Sequence, residues 1–351
     1  MSAFVSKKIL YIYDHVTSSA WYRCTVPGEM LNQVGHTYSL KCVVTRKDIE
    51  SCDVLVVQRL NHEAALDIIQ EVNESGRLTV FDIDDDYWRI HKSNPAYDGW
   101  IDSKKLTELA TNIKECQLVT TTTKPLANIL RNFNPNVRVI PNSLPAKLWP
   151  TETKNLVHNG PIIIGWAGSI THYNDLLEVS SIFPQLLEKY PQIEIHLAGA
   201  DPSWFESHER LKFLDFVSID KYANMLSGFD IGLAPLANIK FNESKSDLKS
   251  VEYGIIGIPT VASKVPSYID TIIHGENGFI AKNCRDWLRY ISILIEKPEL
   301  RIQFGVEARK RSEKRTIETN IDKWLDAYQL GIGKPIVKGP FNFSSHKLHV
   351  L

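Results

Sequence analysis

Short apolar runs alternate with longer stretches of helical periodicity along this chain, and the alternation happens twice. In the first half Ile9-Leu-Tyr-Ile-Tyr13, Val54-Leu-Val-Val57, Leu78-Thr-Val-Phe81, Leu118-Val-Thr-Thr121 and Val137-Arg-Val-Ile140 read as buried strands. Helical patterns lie between most of them, the first running from Tyr22 to Val34 and stopped by Gly35. Residues Pro145 to Gly160 break the rhythm: they are polar, hold prolines and carry no period, which is the signature of a linker. The rhythm then restarts. Ile162-Ile-Ile-Gly-Trp166, Ile193-Glu-Ile-His-Leu197, Phe229-Asp-Ile-Gly-Leu233 and Pro259 to Ala262 read as strands. Asp175 to Tyr190 reads as one helix with Leu176, Leu177, Val179, Ile182, Phe183, Leu186 and Leu187 on a common face. Three helices close the pattern, at Arg285–Glu296, Glu299–Arg311 and Ile317–Leu330, before an irregular tail from Gly331.

Strands that alternate with helices imply parallel sheets covered on both faces. The predicted fold class is therefore α/β, with parallel sheets in two domains that face a central cleft. The predicted divisions are 1–145, a linker at 146–160, a second domain at 161–315, a last helix at 316–330 packing back on the first domain, and a tail at 331–351. A length of 351 residues suits two cores of ordinary size.

Charge narrows the partners. Lysine and arginine total 40 against 41 acidic residues, and no basic tail or domain advertises nucleic acid or an anionic membrane. The five cysteines (Cys24, Cys42, Cys52, Cys116, Cys284) include no CxxC pair and fit reduced thiols. The first residues lack the apolar core of a signal peptide, and no run approaches the ~20 apolar residues of a membrane span. These features predict a cytoplasmic protein without a transmembrane segment. Oligomeric state stays open.

Ligands of open α/β sheets bind beyond the carboxyl ends of the strands, so the residues just after each strand carry the chemistry. After the first strand, Ser18, Ser19, Tyr22 and Arg23 are placed to hold an anion or a sugar hydroxyl. Arg23, in what reads as the first turn of a helix, opposes the helix dipole, and its plain alternative is a surface pair with Glu29 or Asp14. After the third, Phe81-Asp-Ile-Asp-Asp-Asp-Tyr-Trp88 crowds four carboxylates. Alternation points Asp84 and Asp86 the same way in an extended backbone, with Asp85 between them. Crowded carboxylates raise one another's pKa, which a cation or a hydroxyl ligand relieves; general-base duty, acceptor binding, helix capping and metal binding are all open readings. In the second half, Gly168 allows close backbone approach, and Ser169 and His172 could meet a phosphate or a sugar. Ser244-Lys-Ser-Asp-Leu-Lys-Ser-Val-Glu252 reads as a helix start with Ser246 as N-cap. Such a start, beside Lys245 and Lys249, favours an anion, and Glu252 two turns in could reach a sugar hydroxyl. The bland alternative is an ordinary amphipathic helix of an α/β sheet. Asn94 and Tyr97 lie on a first-half loop suited to a second substrate.

Together these segments resemble glycosyltransferases of the GT-B fold, of the family 4 (group 1) kind. Val137-Arg-Val-Ile-Pro-Asn-Ser-Leu144 is similar to the family's "VIPNG" step. Asp230-Ile-Gly-Leu-Ala-Pro235 is similar to its "D-hydrophobic-P" strand. Glu252-Tyr-Gly-Ile-Ile-Gly-Ile-Pro-Thr-Val-Ala262 is similar to its "EAMACGxPVVA" signature, and Gly275-Glu-Asn-Gly-Phe279 to its "GxNGFLV" turn. The resemblance implies two Rossmann-like domains and a retaining transfer from an NDP-sugar, UDP- ahead of GDP-linked, to a hydroxyl acceptor of unknown identity. No cofactor or metal is implied as obligatory. Glu252 corresponds to the second Glu of the family's E-x7-E pair, which binds the donor ribose. Three positions depart from the pattern. Ser244 stands where the first Glu is expected, with Glu243 one residue early. Ser169 follows Gly168 where the family carries a diphosphate-binding Arg and Lys, leaving Lys245 or Lys249 to replace them. The family's first-domain His is replaced by the Asp84–Asp86 cluster. The resulting assignment is Asp84, Asp86 and His172 for catalysis; Gly168, Ser169, His172, Ser244, Lys245, Ser246, Lys249 and Glu252 for the donor; and Ser18, Ser19, Tyr22, Arg23, Asp85, Asn94 and Tyr97 for the acceptor and cleft. Rival readings are a phage-type DNA-base glycosyltransferase, a GT-B sugar-nucleotide epimerase or phosphorylase, and a binding protein without catalysis.

Overall fold

The computed structural model describes residues 4–15, 17–215, 217–335 and 349–350. The predicted tail falls largely outside them, as do Met1 to Ala3. Six parallel strands form the first sheet: β1 (Lys8–Tyr13), β2 (Thr37–Lys41), β3 (Val54–Gln58), β4 (Leu78–Ile83), β5 (Leu118–Thr121) and β6 (Val137–Val139), in the order β2-β1-β3-β4-β5-β6. The second sheet is also parallel and six-stranded. It uses β7 (Ile162–Ala167), β8 (Ile193–Ala198), β9 (Leu211–Leu214), β11 (Ile231–Ala234), β12 (Thr260–Ser263) and β13 (Gly278–Ala281), in the order β13-β12-β11-β7-β8-β9. A separate two-residue pair joins β10 (Val217–Ser218) to β14 (His349–Val350).

Strands with both faces covered are apolar at nearly every position, as in Val54–Gln58, which is buried throughout and polar only at Gln58. Two sheet strands missing from the sequence reading lack this print, whereas a third, β13 (Gly-Phe-Ile-Ala), is buried throughout and was read only as part of a glycine-rich turn. β2 reads Thr-Tyr-Ser-Leu-Lys and β9 Leu-Lys-Phe-Leu; both are edge strands and only partly buried.

Two helices differ from expectation. The predicted helix from Asp175 to Tyr190 is two, Tyr173–Ser180 and Phe183–Lys189, the second carrying Pro184 in its first turn. Proline has no N–H to continue a helical ladder, so a new helix starts around it. Leu177, expected on the buried face, is 41% exposed. The first helix begins at Ser18 rather than Tyr22, with Thr17 accepting from the Ala20 amide at its N-cap. It widens into a π-turn over Trp21–Thr25 and resumes as Val26–Gln33. Pro27 lies at that resumption, where its ring would crowd a regular α-turn.

One apolar cluster is shared between the halves. Trp21, Tyr22 and Met30 of the first pack in the same cluster as Tyr222, Val251 and Tyr253 of the second. The chain returns through Leu144 and Ile317, which exchange backbone contacts with one another's strand segments (Leu144 N to Arg315 O, Ile317 N to Leu144 O, both 2.9 Å). The helix Ile317–Ala327 then packs on Val26–Gln33, burying Ile321, Trp324 and Leu325. The carboxyl ends of β1, β3 and β4 in one sheet and of β7 and β11 in the other thus line one cleft. In each sheet the order reverses beside its first strand, the position where open α/β sheets bind ligands.

Candidate functional site

The cleft encloses about 450 Å³. On the second-domain side β7 ends in Gly168, whose amide donates to Ala198 O at 3.1 Å. A Cβ there would stand 2.4 Å from the Trp166 ring and 3.1 Å from Lys249 Nζ, so only glycine lets the loop lie this close. Ser169 and His172 follow and line the cleft. His172 Nδ1 bonds Asp175 Oδ2 at 2.7 Å.

The helix Leu248–Ile256 brings further groups to this side of the cleft. Lys249 Nζ donates to Ala167 O at 2.5 Å and lies 5.5 Å from the Trp166 ring centre. Burial holds its ammonium below the ordinary lysine value. Glu252, only 4% exposed, accepts from Tyr222 at 3.1 Å and, across the cleft, from Tyr22 at 2.5 Å. Burial raises its carboxyl against those two hydroxyls and Lys249. Lys245 spans the cleft to Asp85 at 2.9 Å. Burial lowers the Lys245 ammonium, but Asp85 outweighs it and the balance lies above the ordinary lysine value.

On the first-domain side Ser18 and Ser19 open the first helix. Ser19 donates to Asp84 Oδ2 and accepts from Gln58 Nε2 at 3.0 Å. Burial, then Asp85, raises the Asp84 carboxyl, and its Oδ1 is buried without a hydrogen-bond partner. Arg59 follows β3 with φ at 49°, a left-handed conformation that non-glycine residues rarely hold. Its guanidinium donates to Tyr87 Oη at 3.0 Å and Thr17 Oγ1 at 3.2 Å. Tyr87 and Trp100 stack at 3.7 Å between ring centres beside Asn94.

Most of the residues singled out in the sequence meet in this cleft: Ser18, Ser19, Tyr22, Asp84, Asp85, Asn94, Gly168, Ser169, His172, Lys245, Ser246, Lys249 and Glu252. Four do not line it. Arg23 is fully buried, because the π-turn carries it inward rather than leaving it in a first turn. It pairs with Asp82 at 2.7 Å, not with Glu29 or Asp14, donates to Ile140 O at 2.6 Å and covers the Trp324 ring. Asp86 does not point with Asp84, because β4 ends at Ile83 and strand alternation stops there. It is buried at the start of the short turn Tyr87–Arg89, 3.6 Å from Arg89. Ser244 is buried, its carbonyl accepting from Thr123 at 2.9 Å. Tyr97 starts the short helix Tyr97–Trp100 and leaves Trp100 to face the cleft. The helix N-cap is Asp247 rather than Ser246, whose hydroxyl instead meets Asn142 Nδ2 at 3.4 Å.

Several lining residues were missed. Arg59 directly follows a strand, and Asn142 lies within the quoted Val137–Leu144 segment, so both had a sequence signal. Tyr222, Phe241 and Tyr268 had none, since only the packing of the second domain brings them to the cleft.

Residues 161–297 match the family model described as "Glycosyl transferases group 1". A curated "Uncharacterized glycosyltransferase" of Haemophilus influenzae is 28% identical over 207 residues, which are 56% of this chain and 54% of that protein, so the chain spans about half the length of this relative. Among solved structures, sucrose-phosphate synthase of Thermosynechococcus elongatus superposes with a TM-score of 0.68 at 13% identity, covering 92% of this chain and 98% of that one. Anabaena HepE, solved in complex with UDP and glucose, gives 0.67 at 14% identity, covering 92% and 99%. Over 92% of its length the chain thus shares the GT-B fold of these structures, and residues 161–297 match the group 1 glycosyltransferase pattern.

Proposed function

We propose, from the group 1 glycosyltransferase domain set in a GT-B frame, that this protein transfers a glycosyl group from an NDP-sugar to a hydroxyl acceptor. The carrying observation is the convergence of Gly168, Lys249 and Glu252 on one wall of the cleft, at the strand-order reversal of the second sheet. In this reading the donor diphosphate lies along the Gly168–Ser169 backbone, with Lys249 and Lys245 balancing its charge. The two ammonium groups then stabilise the negative charge that grows on the leaving diphosphate; such fixed electrostatic groups supply much of an enzyme's rate enhancement. Glu252 takes the ribose. Its carboxylate offers about four acceptor positions, so two tyrosine hydroxyls leave room for ribose donors.

The acceptor hydroxyl enters from the first domain beside Asp84, Asp85 and Asn94. The partner-free Oδ1 of Asp84 suits it as the acceptor's hydrogen-bond acceptor. HepE binds UDP and glucose, which favours UDP over GDP for the donor here, and the family resemblance favours retention of configuration. The acidic acceptor wall speaks against DNA as the acceptor. No helix among the described residues is long and apolar enough to cross a membrane; a cytoplasmic site of action fits the five free thiols.

The test is a thermal-shift screen of nucleotides and NDP-sugars followed by calorimetry. A ligand at a hundred times its Kd adds about 2.7 kcal/mol of apparent stability. Glu252→Ala and Lys249→Ala are each expected to weaken NDP-sugar binding about tenfold or more, near 1.4 kcal/mol. Unchanged affinity in both would overturn the donor assignment.

A further inference from the structure

Asp175, read from the sequence only as the start of a helix, is a carboxylate beside the cleft with both oxygens bonded. It is 6% exposed. Its Oδ1 accepts from the Ala237 amide at 2.8 Å and from Asn242 Nδ2 at 2.6 Å, and its Oδ2 meets His172 Nδ1 at 2.7 Å. Three donors converge on it from three elements, so it cannot rotate without leaving a buried donor unpaired. Burial pushes this carboxyl up, but the bonds from His172 and Ala237 outweigh that and hold it below the ordinary value. An ionised Asp175 accepts only, so His172 must carry its proton on Nδ1.

That tautomer leaves Nε2 as a bare lone pair on a residue lining the cleft. A lone pair cannot bond the oxygen of a diphosphate; it can do so only once protonated. Burial keeps the His172 imidazole below the ordinary histidine value. Asp175 pulls the other way, while Lys249 of the helix and Lys245 of the preceding turn push it down further. The other charged groups lining the cleft are Asp85, which is paired with Lys245, Asp84 and Arg59 from the first domain, and Glu252. A dianionic diphosphate placed against Lys245 and Lys249 reverses that balance, because a nearby negative charge favours the charged imidazole.

We propose that Asp175 is a positioning residue that presents His172 Nε2 to the donor diphosphate, and that His172 takes up one proton as the donor binds. This supplies a cation where the chain lacks the diphosphate-binding Arg and Lys expected after Gly168. The inference rests on the NDP-sugar reading above. The step balances simply: an N–H bond forms at Nε2 as the solvent or buffer acid gives up its proton, and no bond of the donor sugar or its diphosphate changes.

The experiment is calorimetry of the full chain with UDP-glucose, and with a GDP-sugar in parallel, in buffers of differing ionisation enthalpy between pH 6 and 8.5. An NDP-sugar is the right probe because its diphosphate lacks the secondary ionisation near pH 6 of a terminal phosphate. Expected is an uptake approaching one proton, with affinity falling up to tenfold per pH unit as the pH rises. His172→Gln offers a permanent amide donor and is expected to bind with no uptake and no pH slope. Asp175→Asn is expected to lose the uptake while circular dichroism and melting show a folded protein. Should Asp175→Asn not fold, His172→Gln alone decides. Tight binding by the wild type without uptake, or an undiminished slope in His172→Gln, overturns the proposal and leaves the donor reading standing. Binding of no NDP-sugar overturns both.

Discussion

Arg23 and Asp86 show how one residue's setting decides its part. Both were candidates for the cleft, and both are buried away from it. Arg23 and Asp82 form a fully buried pair whose spare donors and acceptors are met by Ile140 O and Thr120. Removing one partner leaves an uncompensated buried charge, at a cost of about 3–5 kcal/mol. Arg23→Met is therefore expected to lower the unfolding free energy by that amount, read as a lower denaturant midpoint at unchanged m-value, the mark of a structural ion pair. Asp86 behaves oppositely. Burial raises its carboxyl to about 6, against the opposing pull of Arg89. A carboxyl raised on folding favours the native state below its unfolded value, near 3.9, and loses that advantage as pH climbs through 6. Asp86→Asn is thus expected to be more stable than wild type at pH 7–8, by up to about 2 kcal/mol. The gain should vanish below pH 4, as read from urea midpoints across pH.

Among the elements, the helix Ser18–Gln33 and the helix Leu248–Ile256 meet through a single hydrogen bond, Tyr22 to Glu252. Each helix starts after a strand of its own sheet, so this contact ties one half to the cleft wall of the other. Tyr22→Phe removes the tie but leaves Tyr222 on Glu252. Nucleotide-sugar Kd is expected to stay within about threefold of wild type while kcat falls, because closure excludes water and completes the site. A loss of affinity as large as that of Glu252→Ala would assign Tyr22 to the donor instead. The π-turn that aims Tyr22 had no sequence signal beyond Pro27, which is why the helix was read as starting four residues late. Edge strands β2 and β9 escaped for a related reason: partial burial does not require an apolar run.

At the scale of the molecule, the two domains are held closed by polar contacts as well as by the shared apolar cluster. Lys245 meets Asp85, and Asn174 Nδ2 donates to Ser93 O at 2.9 Å. Arg315, where the chain crosses back, bonds both oxygens of Asp247 at 2.5 and 3.0 Å and also Asn142 O at 2.9 Å. It links the end of the first half to the N-cap of the helix Leu248–Ile256. Arg315→Gln is expected to raise the radius of gyration in small-angle scattering and to reduce the thermal shift given by an NDP-sugar. An unchanged scattering profile and shift would show that Arg315 does not set how the two halves close.

The local chain determined the two α/β halves, the strand ends where candidate residues sit, and the helix bearing Lys249 and Glu252. It did so because strands covered on both faces must be apolar at nearly every position, a print that survives in sequence. Only the tertiary structure decided which of those strand-end residues share a cleft. Tyr22 and Glu252 are 230 residues apart, Lys245 and Asp85 160, Arg23 and Asp82 59. Their pairing depends on the angle at which two domains pack and on where a helix widens by one turn. Neither leaves a period or a spacing that can be read along the chain.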